Sequence, residues 1–168
     1  MGAEHKNNMI DNNTKALLQQ GMIALLGFLA ATSVSAQDGP QPRLPTIQLT
    51  AGMYVIQAEV AQTPREQTIG MMHRQTMGIN EGMLFIYDSL QVRCFWMRNT
   101  LLPLTIAFIA EDGSIVNLKD MAPKTETSHC SAGPVRYALE MNQGWFDKRG
   151  LKPGFKLRGK LFKPTNAQ

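Results

Sequence analysis

Between residues 47 and 161 the apolar side chains come in short runs, each closed by glycine, proline or polar turn residues. That rhythm limits the fold more than any other feature. No stretch sustains the helical period that a coiled coil or a helix bundle requires. Strands are predicted instead over 47–50, 53–61, 83–87, 94–97, 104–110, 114–118 and 135–141, with hairpin turns at Ala51-Gly52 and Glu111-Asp112-Gly113. The unbroken runs 83–87 and 94–97 predict strands covered on both faces. In 135–141 the residues alternate: Val135, Tyr137, Leu139 and Met141 point one way, Arg136, Ala138 and Glu140 the other. One helix start is written clearly, with Thr63 as N-cap, Pro64 at the first helical position and Glu66 completing a capping box. That helix should present Ile69 and Met72 on one face and fade near Arg74, with Gly70 marking a close approach to a neighbour. A single helical turn is expected at 144–149, then a final strand over 155–161 whose Lys156, Arg158 and Lys160 face solvent and blunt a sheet edge. The sum is a mainly antiparallel sandwich or barrel with one short capping helix.

The N-terminal third reads differently. Lys15 precedes an apolar run over 22–31, and Val34-Ser35-Ala36 supplies small residues for a signal peptidase. Residues 1–36 are therefore expected to be a signal peptide, with Met9 as an alternative start and an uncleaved membrane anchor as the rival reading. No cysteine follows the run, which excludes a bacterial lipoprotein. Residues 37–45 form a proline-rich linker, 46–163 the β-sandwich domain and 164–168 a tail. Export places the protein in the periplasm if the source has two membranes, and any membrane contact is through the signal or anchor. The net charge of +4 is concentrated at the C-terminus, where residues 148–168 hold seven bases and no acid. Their spacing fits a strand face better than a nucleic-acid surface, so no nucleic-acid partner is expected, and the chain is expected to be a monomer. Hydrophobic residues at 43% and charged residues at 18% exclude intrinsic disorder.

Two cysteines, Cys94 and Cys130, fall in the exported part. A disulfide is preferred, contributing about 4 kcal/mol in the chain-entropy view, with separate buried thiols and a soft-metal site as alternatives.

The ordered blocks IGMMHR (69–74), EGMLFIY (81–87), FWMRNTLLPLTIAFI (95–109) and GPVRYALEMNQGW (133–145) resemble the domain-of-unknown-function 192 family. The resemblance covers about 53–160. It implies a mostly β, jelly-roll-like sandwich, and no established activity, substrate or cofactor. Two positions depart from the family's usual pattern: Thr105 stands where it has an acid after Pro-Leu, and Phe155 where it has an acid after Gly154.

Catalytic constellations are thin. No nucleophile elbow, phosphate loop, zinc-protease helix or CxxC occurs, and a Cys–His pair between Cys94 or Cys130 and His73 or His129 conflicts with oxidised thiols. The chemistry therefore leans away from an enzyme, and no cofactor is expected. The strongest site candidate is the edge from Trp96 to Thr100, where Arg98 and Asn99 adjoin an aromatic platform. The leading reading is a binding module for an envelope component or protein partner there, with Arg136, Glu140 and Glu81 as possible parts of a polar patch. A second reading is a Cu(I) site on Met71, Met72, His73 and Met97. A third is a small hydrolase or transferase using Glu81, Arg136 and Glu140. For each the plain structural alternative stands: core methionines, a capped turn at Asn99-Thr100 and a solvated strand face bearing Arg136 and Glu140.

Overall fold

Residues 39–162 are described in this computed structural model, so the signal-peptide and tail assignments lie outside the described residues. Eight strands form: β1 (Thr46–Ala51), β2 (Tyr54–Ala61), β3 (Glu81–Gln91), β4 (Cys94–Phe95), β5 (Leu104–Ile109), β6 (Ile115–Met121), β7 (His129–Cys130) and β8 (Val135–Asn142). One helix, α1 (Pro64–Ile69), links β2 to β3, and a 3-10 turn spans Asp147–Arg149. Among these residues no helix is long and apolar enough to cross a membrane.

Six strands make one sheet in the order β1-β2-β3-β8-β5-β6, and β4 pairs with β7 as a separate ribbon. The mainly β expectation holds, with two refinements. The sheet is not closed into a barrel, and β2 runs parallel to β3 because α1 carries the chain across between them. All other pairings are antiparallel.

The sheet's side-chain parity divides the core in two. Leu49, Ile56, Leu84, Ala107, Leu139 and Met141 pack beneath Trp145, Phe146, Leu151 and Leu157 of the C-terminal stretch. Met83, Phe85, Ile106, Phe108 and Ala138 pack on the opposite side with Met71, Met97 and the half-buried Phe95. Each such large side chain contributes roughly 1.5–3 kcal/mol by leaving water.

Local rules written in the sequence are obeyed closely in three places. Gly52 takes φ 63° in the β1–β2 turn, and Gly113 takes φ 88° between β5 and β6. The capping box of α1 is complete, since Thr63 accepts from the Glu66 N–H while the Glu66 carboxylate accepts from the Thr63 N–H. The helix nevertheless stops at Ile69, short of Arg74, because Gly70 turns the backbone to φ 49°.

Three expectations are overturned. The 94–97 run is not a strand covered on both faces. Its first two residues pair with the two-residue β7, and the Met97 N–H donates to the Thr125 carbonyl (2.9 Å). Phe95 and Met97 face the core while Cys94 and Trp96 face outward. The basic 155–161 stretch is not a strand either, and joins the sheet only through single bridges from Lys156 to Ser114 and from Arg158 to Thr50. Those bridges sit at opposite edges. Arg158 exchanges both backbone hydrogen bonds with Thr50 at the end of β1 (2.8 and 2.9 Å), and the Leu157 N–H donates to the Gly113 carbonyl beside β6 (2.9 Å). One short segment thus clasps both edges of the curled sheet, too briefly at each for a ladder. Finally, the polar face of β8 is not solvated at Glu140, which is 4% exposed.

Residues 39–45 lie along the body. The Gln41 amide donates to the Gly70 carbonyl (2.9 Å), and the Leu44 N–H donates to Glu59 (2.8 Å).

Candidate functional site

Beneath α1 the sheet carries a carboxyl, and the elements around it leave a cavity of about 230 Å³. One wall is the end of α1 and the turn after it, residues 67–72; the other is 94–96; the floor is Phe85, Tyr87 and Glu140. Sequence chemistry fixes each part. Gln67 anchors α1 to the sheet by donating to the Ile86 carbonyl (2.7 Å). A Cβ at Gly70 would meet the Phe85 ring at 3.2 Å, so the glycine lets the helix end settle onto the floor, as its place in the sequence suggested. The Cys94–Cys130 disulfide, joining residues directly opposite in β4 and β7, holds the second wall, and Phe95 sits edge-on against Phe85 (4.9 Å) and Phe108 (5.9 Å).

Glu140 lies opposite Met83 on one side and Ile106 on the other, inside the ladder. Its backbone is therefore committed to the sheet, and its carboxyl is what reaches the cavity. No charge or hydrogen bond from the described residues compensates it. Burial alone pushes its pKa up to about 8, so the group holds its proton at neutral pH. Tyr87 is pushed up to about 12, chiefly by burial, with the Arg93 guanidinium pulling the other way from 4.0 Å above the ring. Trp96 stands at the rim, 49% exposed, with Arg98 5.7 Å from its ring.

The structure sorts the predicted residues into groups. Trp96 and Glu140 share this cavity. Arg98 and Asn99 instead line a neighbouring depression with His73, Leu101, Lys124 and Glu126, where Arg98 lies 3.6 Å from Glu126. There the chain turns through its backbone, the Thr100 N–H donating to the Met97 carbonyl (2.9 Å), and Thr100 is buried. His73, Asn99 and Lys124 all take left-handed backbone there, with φ 61°, 58° and 58°. Glu81 is held elsewhere, accepting from the Gly78 N–H (3.0 Å) and Arg43 (3.2 Å), which keep its carboxyl below the usual range. Arg136 points to Glu111 (3.5 Å). Neither lines the Glu140 cavity, so the three groups of the hydrolase reading do not converge on it. The copper candidates are likewise divided. Met71 and Met97 share a buried cluster, Met72 lines the cavity wall and His73 lies in the depression. Among the described residues no three His, Cys, Asp or Glu side chains gather as a metal site.

Two features escaped the sequence. Glu59 and Arg74, both buried, form a two-pronged ion pair (2.8 and 3.1 Å) that Arg43 joins at 2.8 Å. Tyr87 joins the cavity because it shares strand parity with Phe85, which the even spacing could have shown once β3 was known to run past Tyr87. Thr105 donates to Asp120 and receives the Gly144 N–H (3.0 Å), so its hydroxyl tethers the β8 exit to β6.

A model of the uncharacterized ACR family, domain of unknown function 192, matches residues 47–159. The chain belongs to this family. The matched span runs from β1 to the clasp and takes in every residue lining the cavity. Among curated proteins nothing matches. Several solved structures are similar, two of them at about a third sequence identity. One, from Sinorhizobium meliloti 1021 and described as a "putative transcription regulator", is 32% identical with a TM-score of 0.66, over 71% of this chain and 97% of that one. The other, a Novosphingobium aromaticivorans DSM 12444 protein of unknown function, is 34% identical with a TM-score of 0.67, over 79% of this chain and all of that one.

Proposed function

We propose that this domain-of-unknown-function 192 protein is an exported binding module, and that an envelope component or protein partner inserts a small group into the Glu140 cavity past Trp96. One observation carries the reading. A carboxyl buried without a partner and a half-exposed tryptophan meet in one cavity, and neither placement helps the fold. At about 230 Å³ the cavity suits a functional group better than a whole drug-sized ligand. Export is supported by the apolar run at 22–31 and by the disulfide, which persists in oxidising compartments.

The test is a panel of muropeptides, envelope sugars and polyamines titrated into isotope-labelled protein. Amide shifts should concentrate in 67–72, 85–87 and 94–96, and Trp96→Ala should abolish them while the rest of the spectrum stays native. Shifts confined to other surfaces, or untouched by Trp96→Ala, would overturn the reading. A Cu(I) site has one observation in its favour, the shared burial of Met71 and Met97. Retention of Cu(I) through native mass spectrometry, and its loss in a Met71→Leu/Met97→Leu variant, is its test.

A further inference from the structure

The chemistry of the cavity also narrows what enters it. We infer that the Glu140 cavity receives a cationic nitrogen, the primary ammonium or guanidinium at the end of a small amine or of a basic side chain. The inference rests on the cavity being the binding site, as proposed above.

Three observations converge. The Glu140 carboxyl is 4% exposed, reaches the cavity and has no cation among the described residues to pair with. Tyr87 is the other titratable lining group and is itself no cation; Met83 and Ile106, opposite Glu140 in β3 and β5, are apolar, and neither wall contributes a charge. The rest of the lining is rich in aromatic rings, Phe85, Tyr87, Phe95 and Trp96, whose faces attract cations. Arginines already use two of these rings from elsewhere: Arg93 sits 4.0 Å from Tyr87 and Arg98 5.7 Å from Trp96. An anion would meet an aromatic lining with no positive group. A neutral hydroxyl would make only a neutral hydrogen bond to the protonated carboxyl, weaker than a charge-assisted pair, and would make no use of the cation-attracting ring faces.

The proton balance follows. Burial keeps the free carboxyl protonated near neutrality. The ligand arrives as ammonium, the carboxyl gives its own proton to water, and the resulting carboxylate pairs with the ammonium. Binding therefore releases about one proton per site below pH 8 and strengthens as pH rises toward 8.

The experiment compares n-butylammonium, spermidine and an end-blocked Ala-Lys-Ala peptide with n-butanol and butyrate. Calorimetry at pH 6.5 in two buffers of different ionisation enthalpy counts protons, and amide shifts locate the site. The cationic probes should bind in the cavity with proton release, and Glu140→Gln should weaken them by about tenfold or more and abolish the proton release. Tighter binding of the peptide would assign the natural group to a polypeptide side chain, and tighter binding of the free amines to a small molecule; both support the inference. If n-butanol or butyrate matches the amines while shifting the same walls, the cavity binds but the cationic class is wrong. If no probe moves those walls, the binding-site reading falls as well. Carbon shifts of the Glu140 carboxyl give a separate readout: amine binding without its ionisation overturns the proton exchange.

Discussion

Glu140 shows how one side chain can work against the fold that holds it. In the unfolded chain it ionises from about 4.5, while in the native protein it keeps its proton to about 8. Between those values the unfolded state binds fewer protons, so this residue's contribution to stability falls as pH rises through the window, by about 5 kcal/mol in all. Glu140→Gln should remove that loss, leaving the variant more stable than wild type at pH 8 and little different at pH 4.5. Urea midpoints at the two pH values check it, and parallel pH profiles for the two proteins would refute it. Glu59 is the opposite case, a buried acid fully met by Arg74 and Arg43. Glu59→Gln strands a buried guanidinium and should cost about 3–5 kcal/mol in urea unfolding, with Glu59→Gln/Arg74→Met recovering part of the loss. Neither fate was legible in the sequence. Glu140 read as the outward half of an alternating strand, and only the ribbon and helix laid over that face bury it. Glu59 and Arg74 meet through pairing that no local pattern encodes.

At the scale of elements, local chemistry was legible and coverage was not. Thr63, Pro64 and Glu66 announce the start of α1, and Gly113 the β5–β6 turn, because caps and left-handed turns depend on residues within four positions. The 94–97 run misled because an apolar string looks the same whether a strand is sandwiched or lies over another layer. In this fold β4 and β7 share only two residue pairs, so the ribbon depends on its disulfide. Cys130→Ser should cost about 4 kcal/mol and raise amide hydrogen exchange at 93–97 and 129–131. Exchange in β3, β5 and β8 should stay slow at native pH. Loss of protection throughout the sheet would show that the ribbon is not a separable unit. Trp96 stands on this ribbon, so the same variant should also weaken whatever enters the cavity.

For the whole molecule, the mainly β architecture followed from the rhythm of short runs, and the family blocks lay in the right order. The sheet's curl and the clasp across its two edges did not follow, because they depend on residues more than a hundred positions apart, Thr50 and Arg158, meeting through their backbones. The proposed export makes its own prediction: N-terminal sequencing of the protein recovered outside the cytoplasm should begin at Gln37, and an intact Met1 or Met9 there would argue for an anchor. The clasp by residues 154–158 has a temporal consequence. A chain that emerges N-terminus first, from a ribosome or through a translocation pore, offers β1 and β6 as two unfinished borders until residues 154–158 arrive. Assembly of the sheet is thus tied to the arrival of that one segment, long after both edge strands have been made. A copy truncated before Leu157 would lack the segment that joins those borders, and would present open strand edges to its neighbours.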